Sequence, residues 1–475
     1  MTVWLLAGLA RASGGPALAA TASLVADLNT TPVAAGNGGH IVDMQALGSN
    51  FLFSFDQQLW GSDGTALGTR LIHDFCPSGT VLTCVHVNRF IGVVGGAALL
   101  LVVTDDRVPE IQLWASDGTA GGTRSLASEL TPAPDTYTTS AETPFALTAH
   151  ALYFFACGPG NCGLWKTDGT VAGTVAVAQG FGQPLLSIAA AGKRVFFGAV
   201  TAQSKQLWTS DGTPAGTLSL GSFPDYYDSE VFVEGLGPFF AAGPRVYFLA
   251  GDPTHHRQLW TSDGTVAGTK PLTAFTPADP FAHTSLVKAI GDRLYFVGDD
   301  GTHGDQLYVS DGSAAGTRAV TAFTAPNAFS SAPFLADDAG SLAEVAGKLL
   351  FVATDGIHPF GLWSSGGTPA TTALLTGCSG GCPNLPAGTQ LFAIGTHALF
   401  EVNDAAGDLS FWATDGSGAG TLPLGAPCSG CGFPQNPYVH SVAPFAGHAL
   451  FESSTSAGDP AVWVTDGTAG GTRIL

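Results

Sequence analysis

Hydrophobic residues in this chain fall into short runs separated by tight polar connections, with no helical period over any longer stretch. Residues 286–323 show the unit. An alternating run at 286–290 leads to the turn Gly291-Asp292 and an aromatic and β-branched run at 293–297. A loop at 298–305, a third run at 306–310, the turn Asp311-Gly312 and a fourth run at 317–323 follow. Four strands joined in this way predict an antiparallel meander. The second run decides how such meanders pack. Its copies include 152–155, 194–197, 245–249, 348–352 and 398–400, all with consecutive apolar residues. Successive side chains on a strand point to opposite faces, so these strands bury both. That predicts a sheet held between two neighbours, as in radial stacking, rather than one layer of a sandwich.

The third and fourth runs are joined by one phrase, LW-x-[ST]-D-G-T-x-x-G-T. It stands at 59–69, 113–123, 164–174, 207–217, 259–269 and 307–317, with weaker copies at 362–372, 411–421 and 462–472. Its aromatic anchors, Trp60, Trp114, Trp165, Trp208, Trp260, Tyr308, Trp363, Trp412 and Trp463, lie 43 to 55 residues apart. A period near fifty residues marks an array of one supersecondary unit. The expected fold is an all-β propeller of four-stranded antiparallel blades. Nine blades in one closed ring would form a single domain over 23–475; two smaller propellers or an open arc are the alternatives. Residues 23–28 resemble what normally follows Gly-Thr and are expected to close the last blade, removing an exposed sheet edge.

Adjacent Leu and Trp should face opposite neighbouring blades. The hydroxyl before each Asp is placed to bond turn amides, and Asp-Gly supplies an acceptor and a positive-φ residue. Asp63, Asp117, Asp168, Asp211, Asp263, Asp311, Asp415 and Asp466 therefore read as structural turn residues. A calcium loop needs several oxygen ligands at alternating positions, and each turn offers one Asp. The seventh copy tests this reading, because Gly366 replaces Asp and Thr371 replaces the later Gly.

Composition narrows the function. The chain is 45% hydrophobic and 11% charged, against about a quarter charged in ordinary domains, which excludes a disordered polymer. A formal net charge of −20 argues against nucleic acid and anionic lipid as partners. No segment has the roughly eighteen apolar residues of a membrane span. Residues 1–22 hold a short apolar run and small-residue cleavage candidates, and resemble a signal-peptide remnant, with a disordered N-terminus as the alternative. The eight cysteines form close pairs: Cys76/Cys84, Cys157/Cys162, Cys378/Cys382 and Cys428/Cys431. Only the last has the spacing of a zinc half-site. Local disulfides pinning loops, in an oxidising compartment, are the expectation, with a redox pair at Cys428/Cys431 as the alternative.

Candidate chemistry is sparse. Loops between second and third strands vary most, and three consecutive units carry His255, His256, His303 and His358 there. These are the ligand-binding candidates, able to take Zn²⁺ or an anion if their loops converge; a local loop role is the competing reading. There is no nucleophile elbow, zincin helix motif or phosphate loop. Carboxylate pairs such as Asp105-Asp106 and Asp299-Asp300 leave glycoside chemistry open.

The phrase resembles the ELWxxDGT repeat of secreted and surface bacterial proteins. The segments Asp299-Asp-Gly-Thr-His-Gly304 and Asp355-Gly-Ile-His358 resemble that family's D-G-x-x-G lead-in. The resemblance covers nearly everything after about residue 23. It implies a propeller-like, exported protein and no catalytic residues. The turn is also similar in shape to the Asp-box of sialidase propellers, but there the Trp follows the Asp, and no Arg triad is visible here. The expected protein is a secreted or cell-surface, monomeric, non-catalytic module that binds protein or glycan and needs no cofactor. Ca²⁺ or Zn²⁺ binding, and a polysaccharide hydrolase or lyase, are the alternatives.

Overall fold

A computed structural model describes residues 41–474 apart from loop segments, the longest at 77–84, 105–110, 131–144, 282–286, 330–341, 376–384, 404–408, 426–441 and 455–459. The expected leader at 1–22, the closing strand at 23–28 and Cys84, Cys378, Cys382, Cys428 and Cys431 lie outside the described residues.

The chain forms two compact units, Met1–Phe223 and Pro224–Leu475. The first holds four sheets, each with four antiparallel strands in chain order. They run from Ile41–Leu47, Asn50–Phe55, Gln58–Ser62 and Arg70–Asp74 to a last sheet of Pro184–Ala191, Arg194–Thr201, Ser204–Ser210 and Leu218–Ser222. The second holds a short hairpin, Tyr226–Asp228 with Val231–Val233, and five more such sheets, from Leu236–Ala242 to Arg473–Ile474. The sheets are numbered here as blades 1 to 9 along the chain. This is the expected all-β, propeller-type architecture. Among the described residues the only helical piece is a 3₁₀ turn at Pro369–Thr371, and no helix is long and apolar enough to cross a membrane.

The two-faced strands pack as their sequence requires. In blade 2, Ala98, Leu100 and Val102 join a core with Leu52, Leu59 and Ile72 of blade 1. The intervening Leu99, Leu101 and Val103 join a core with Leu152, Phe154 and Ala156 of blade 3. In the second unit, Leu349 and Phe351 of blade 7 pack toward blade 6, and Leu350 and Val352 toward blade 8. Each fully buried side chain of this size contributes roughly 1.5–3 kcal/mol. The Leu-Trp step divides in the same way: Leu113 packs toward blade 3 while Trp114 packs toward blade 1, its ring 5.1 Å from that of Phe75. Leu307 and Tyr308, and Phe411 and Trp412, split likewise between their neighbours.

In five blades the pairing of third and fourth strands shifts register at this same step, as at Leu59/Trp60, Leu113/Trp114, Leu164/Trp165, Leu207/Trp208 and Phe411/Trp412. Such a bulge bends the outer strand and raises its twist. Blades 5 and 6 use another device. Their fourth strands pair over only Lys270–Pro271 and Arg318–Ala319. The buried Gln306 side chain then replaces the missing ladder: its Nε2 donates to the Phe323 carbonyl and its Oε1 accepts from the Phe323 amide and the Thr321 hydroxyl. Gln258 makes the same set with Phe275 and Thr273 in blade 5.

Candidate functional site

The repeated turn is two hydroxyl relays around one carboxylate. In blade 2, Thr119 donates both its amide and its hydroxyl to Asp117 Oδ1, at 2.9 and 2.7 Å. The same hydroxyl accepts the Gly122 amide at 3.0 Å. In the second relay, Thr123 Oγ1 donates to the Thr119 carbonyl at 2.7 Å, so toward Ser116 Oγ, also 2.7 Å away, it must accept. Ser116 Oγ in turn accepts the Gly118 amide at 3.2 Å. Each of these donors has one acceptor; the Ser116–Thr123 pair is buried and the Asp117–Thr119–Gly122 relay is exposed. The hydroxyl pair recurs in all nine blades, from Ser62–Thr69 to Thr465–Thr472. Ser313 and Ser417 replace the first Thr without loss of a bond. The Thr119 hydroxyl holds Asp117 below the ordinary carboxylate range, partial burial working against it and the Thr119 amide with it.

The later glycine does more than let the chain re-enter the fourth strand. A Cβ at Gly122 would fall on the Asp117 carboxylate, and the same holds at Gly268 against Asp263. Asp and Gly are therefore one unit. The seventh copy shows its mirror solution. Blade 7 folds with all four strands, and Thr371 now supplies the acceptor from the far side of the turn. Thr371 Oγ1 accepts from the Thr368 amide at 3.2 Å and the Thr368 hydroxyl at 2.7 Å, and donates to the Thr368 carbonyl at 3.1 Å. A Cβ at Gly366 would lie 3.0 Å from that oxygen, so glycine has moved to the position that Asp vacates.

The turns also join blades within each unit. The carbonyl of the positive-φ glycine accepts a cation from the preceding blade: Arg124 reaches Gly169 at 3.0 Å, Lys166 reaches Gly212 at 2.8 Å, Arg70 reaches Gly118 at 3.3 Å and Arg318 reaches Gly367 at 3.4 Å. A Cβ on Gly212 would collide with the Tyr153 hydroxyl of blade 3. Glycine is thus required there twice, for φ +87° and for close approach.

The histidine candidates fall in two groups. His255 lies outside the described residues, and His256 begins the third strand of blade 5, His256–Ser262. His303 and His358 cap their own loops in blades 6 and 7. His303 Nδ1 lies 2.8 Å from Asp300 Oδ2, and Asp300 Oδ1 accepts the amides of Thr302 and His303. Asp355, Ile357 and His358 repeat this arrangement. Burial raises Asp355, but the His358 amide, the His358 ring and the Ile357 amide together bring it down to about 2. Both loops are gripped by the preceding blade, since Thr324 Oγ1 donates to the Asp355 carbonyl at 3.0 Å and Thr276 Oγ1 to the Asp300 carbonyl at 3.3 Å. Each of these two histidines is bonded within its own loop. Among the described residues no group of three or more His, Cys, Asp or Glu side chains is placed to hold a metal ion.

Cys157 and Cys162 stand opposite each other in the second and third strands of blade 3, and no described cysteine is free. The carboxylate pair Asp105-Asp106 lies outside the described residues. Sequence reasoning missed the two turn threonines, the cross-blade cations and Thr371. The recurrence of Thr at both positions, and of Arg after Gly-Thr, was the available signal.

No family model and no curated protein matches the chain. Among solved structures, it is similar to a prolyl endopeptidase, with TM-score 0.38 and 13% identity over 79% of this chain and 54% of that one. It is also similar to tricorn protease, with TM-score 0.25 and 13% identity over 91% and 39%. A third similarity is to the β-propeller domain of the Trilobed protease from Pyrococcus furiosus, with TM-score 0.35 and 10% identity over 80% and 95%. The chain spans about half the length of the first of these.

Proposed function

We propose that this chain is an exported, non-catalytic propeller-type module that binds protein or glycan through its non-repeating loops. One observation carries the reading: the polar residues that recur are spent on holding turns and joining blades. Asp117, Thr119, Ser116 and Thr123 satisfy one another, and eight of nine turns repeat them or a version with Ser and Thr exchanged. Recognition is left to loops that differ between blades. The acidic surface, with net charge −20, favours neutral or cationic partners over phosphate-rich ones. The resemblance to ELWxxDGT repeats and the four cysteine pairs support export, with each pair closing a local disulfide that pins a loop.

A glycan array run beside a polysaccharide hydrolysis screen tests the reading, with disulfide mapping of the same sample by mass spectrometry. Binding without turnover, and four local disulfides, are expected. Release of reducing ends or unsaturated products would replace the reading with that of a hydrolase or lyase.

A further inference from the structure

The chain holds ten Asp-Gly steps, eight in the repeated turns and two in the histidine loops. Asp-Gly is the step most open to succinimide formation, because glycine has no Cβ to shield its amide nitrogen from the preceding carboxyl group. In six of the repeated turns this chemistry is opposed. The glycine amide donates to the hydroxyl before the Asp, in a buried bond at Gly169, Gly212, Gly264, Gly312, Gly416 and Gly467. A hydroxyl is a poor base, and here its own proton is already committed to the next threonine.

Asp300–Gly301 is built differently. The Gly301 amide donates to Asp299 Oδ1 at 2.7 Å, in a solvent-exposed bond. The Asp300 carboxylate meets His303 Nδ1 at 2.8 Å, with 28% of the Asp300 side chain and 65% of the His303 side chain exposed, so water reaches both. We propose that Asp300–Gly301 is a site of spontaneous main-chain isomerisation in the folded protein, with Asp299 as the base and His303 as the acid. The Gly301 nitrogen attacks Cγ of Asp300 and its proton passes to Asp299. One carboxylate oxygen leaves as water, taking that proton and one from the His303 imidazolium, and a succinimide remains. Water then adds at the Asp300 main-chain carbonyl and breaks its bond to Gly301 nitrogen, leaving isoaspartate. Water is consumed in the second step as it was released in the first, and no other reactant is needed. Two further groups face the site: Asp305, opposite Asp299 in the strand register, and Tyr308, whose hydroxyl is pushed up by burial and by the charge of Asp300.

The neighbouring loop is an internal control. Asp355 has the same histidine at 2.8 Å, but the Gly356 amide donates to Thr354 Oγ1 at 3.2 Å, where Asp299 would stand. The acid is present and the base is not.

The test is long incubation of the intact chain at neutral pH and physiological temperature, followed by peptide mapping that resolves aspartate from isoaspartate. Positioned acid–base groups accelerate proton transfer by roughly 10²–10⁴-fold. The ordered loop opposes part of that gain, so isoaspartate at 300 should exceed that at 355 and at 263 about tenfold. Asp299→Asn keeps an oxygen for the Gly301 amide and removes the base; it should lower the yield at 300 to that at 355. Thr354→Asp, should Asp299→Asn fail to fold, installs the base in the control loop and should raise isoaspartate at 355. Equal yields at 300 and 355 in the unaltered chain would overturn the proposal. So would a yield at 300 unmoved by Asp299→Asn, or no rise at 355 with Thr354→Asp.

Discussion

Thr119 carries three hydrogen bonds on two atoms: its amide and hydroxyl both donate to Asp117, and the hydroxyl also accepts from Gly122. No charged residue in the phrase is more closely tied, yet a threonine in a turn draws little notice in a sequence. The Asp was legible because a lone carboxylate before glycine has few structural uses. The threonines were not, because a hydroxyl's direction depends on which partners fold places around it. His303 and His358 show the same limit: their recurrence suggested a shared ligand, while the geometry gives each an aspartate three residues earlier. These carboxylates carry a pH consequence. A group whose folded pKa is depressed contributes stability that is present above its unfolded value and lost as pH falls through the folded one. For Asp355 that window runs from about 4 down to about 2. The urea midpoint should therefore fall as pH drops across it, and Asp355→Asn should flatten that part of the profile. An unchanged slope in the variant would count against this role for the loop.

At the scale of the element, consecutive apolar residues in the second strand were the clearest message in the sequence, and blade 2 divides them between its neighbours residue by residue. Leu350 is fully buried toward blade 8, whereas Leu67, at a turn tip, is 101% exposed. Leu350→Ala should cost roughly 2–5 kcal/mol, and Leu67→Ala should stay within about 0.5 kcal/mol, both read from urea unfolding. Similar losses at the two sites would contradict the packing described. The short fourth strands of blades 5 and 6 were not legible. Their sequence continues as a plausible strand, and only the side chains of Gln258 and Gln306 reveal that ladder bonds have been replaced. The cross-blade bonds of Arg124 and Lys166 were hidden for a related reason: they join residues about one repeat apart in sequence.

Across the whole molecule, one phrase recurs nine times and is solved in two ways. Eight turns place a carboxylate before the turn and glycine after it; blade 7 places glycine before it and threonine after it. Both give the turn hydroxyl an acceptor, a carboxylate in eight turns and the Thr371 hydroxyl in blade 7, within the same four-stranded sheet. The recurring residues thus account for architecture, and the proposed function leaves recognition to loops that do not recur. The most direct test of that division transplants the blade 7 solution into blade 5. Asp263→Gly removes the acceptor and Gly268→Thr places a side chain on the Asp263 carboxylate, so each alone should destabilise by about 1–3 kcal/mol. Combined, they should recover much of the loss, as a favourable coupling of roughly 0.5–3 kcal/mol in a double-mutant cycle followed by urea unfolding. Recovery would show that Asp263 serves the turn and nothing else; strictly additive losses would contradict the account.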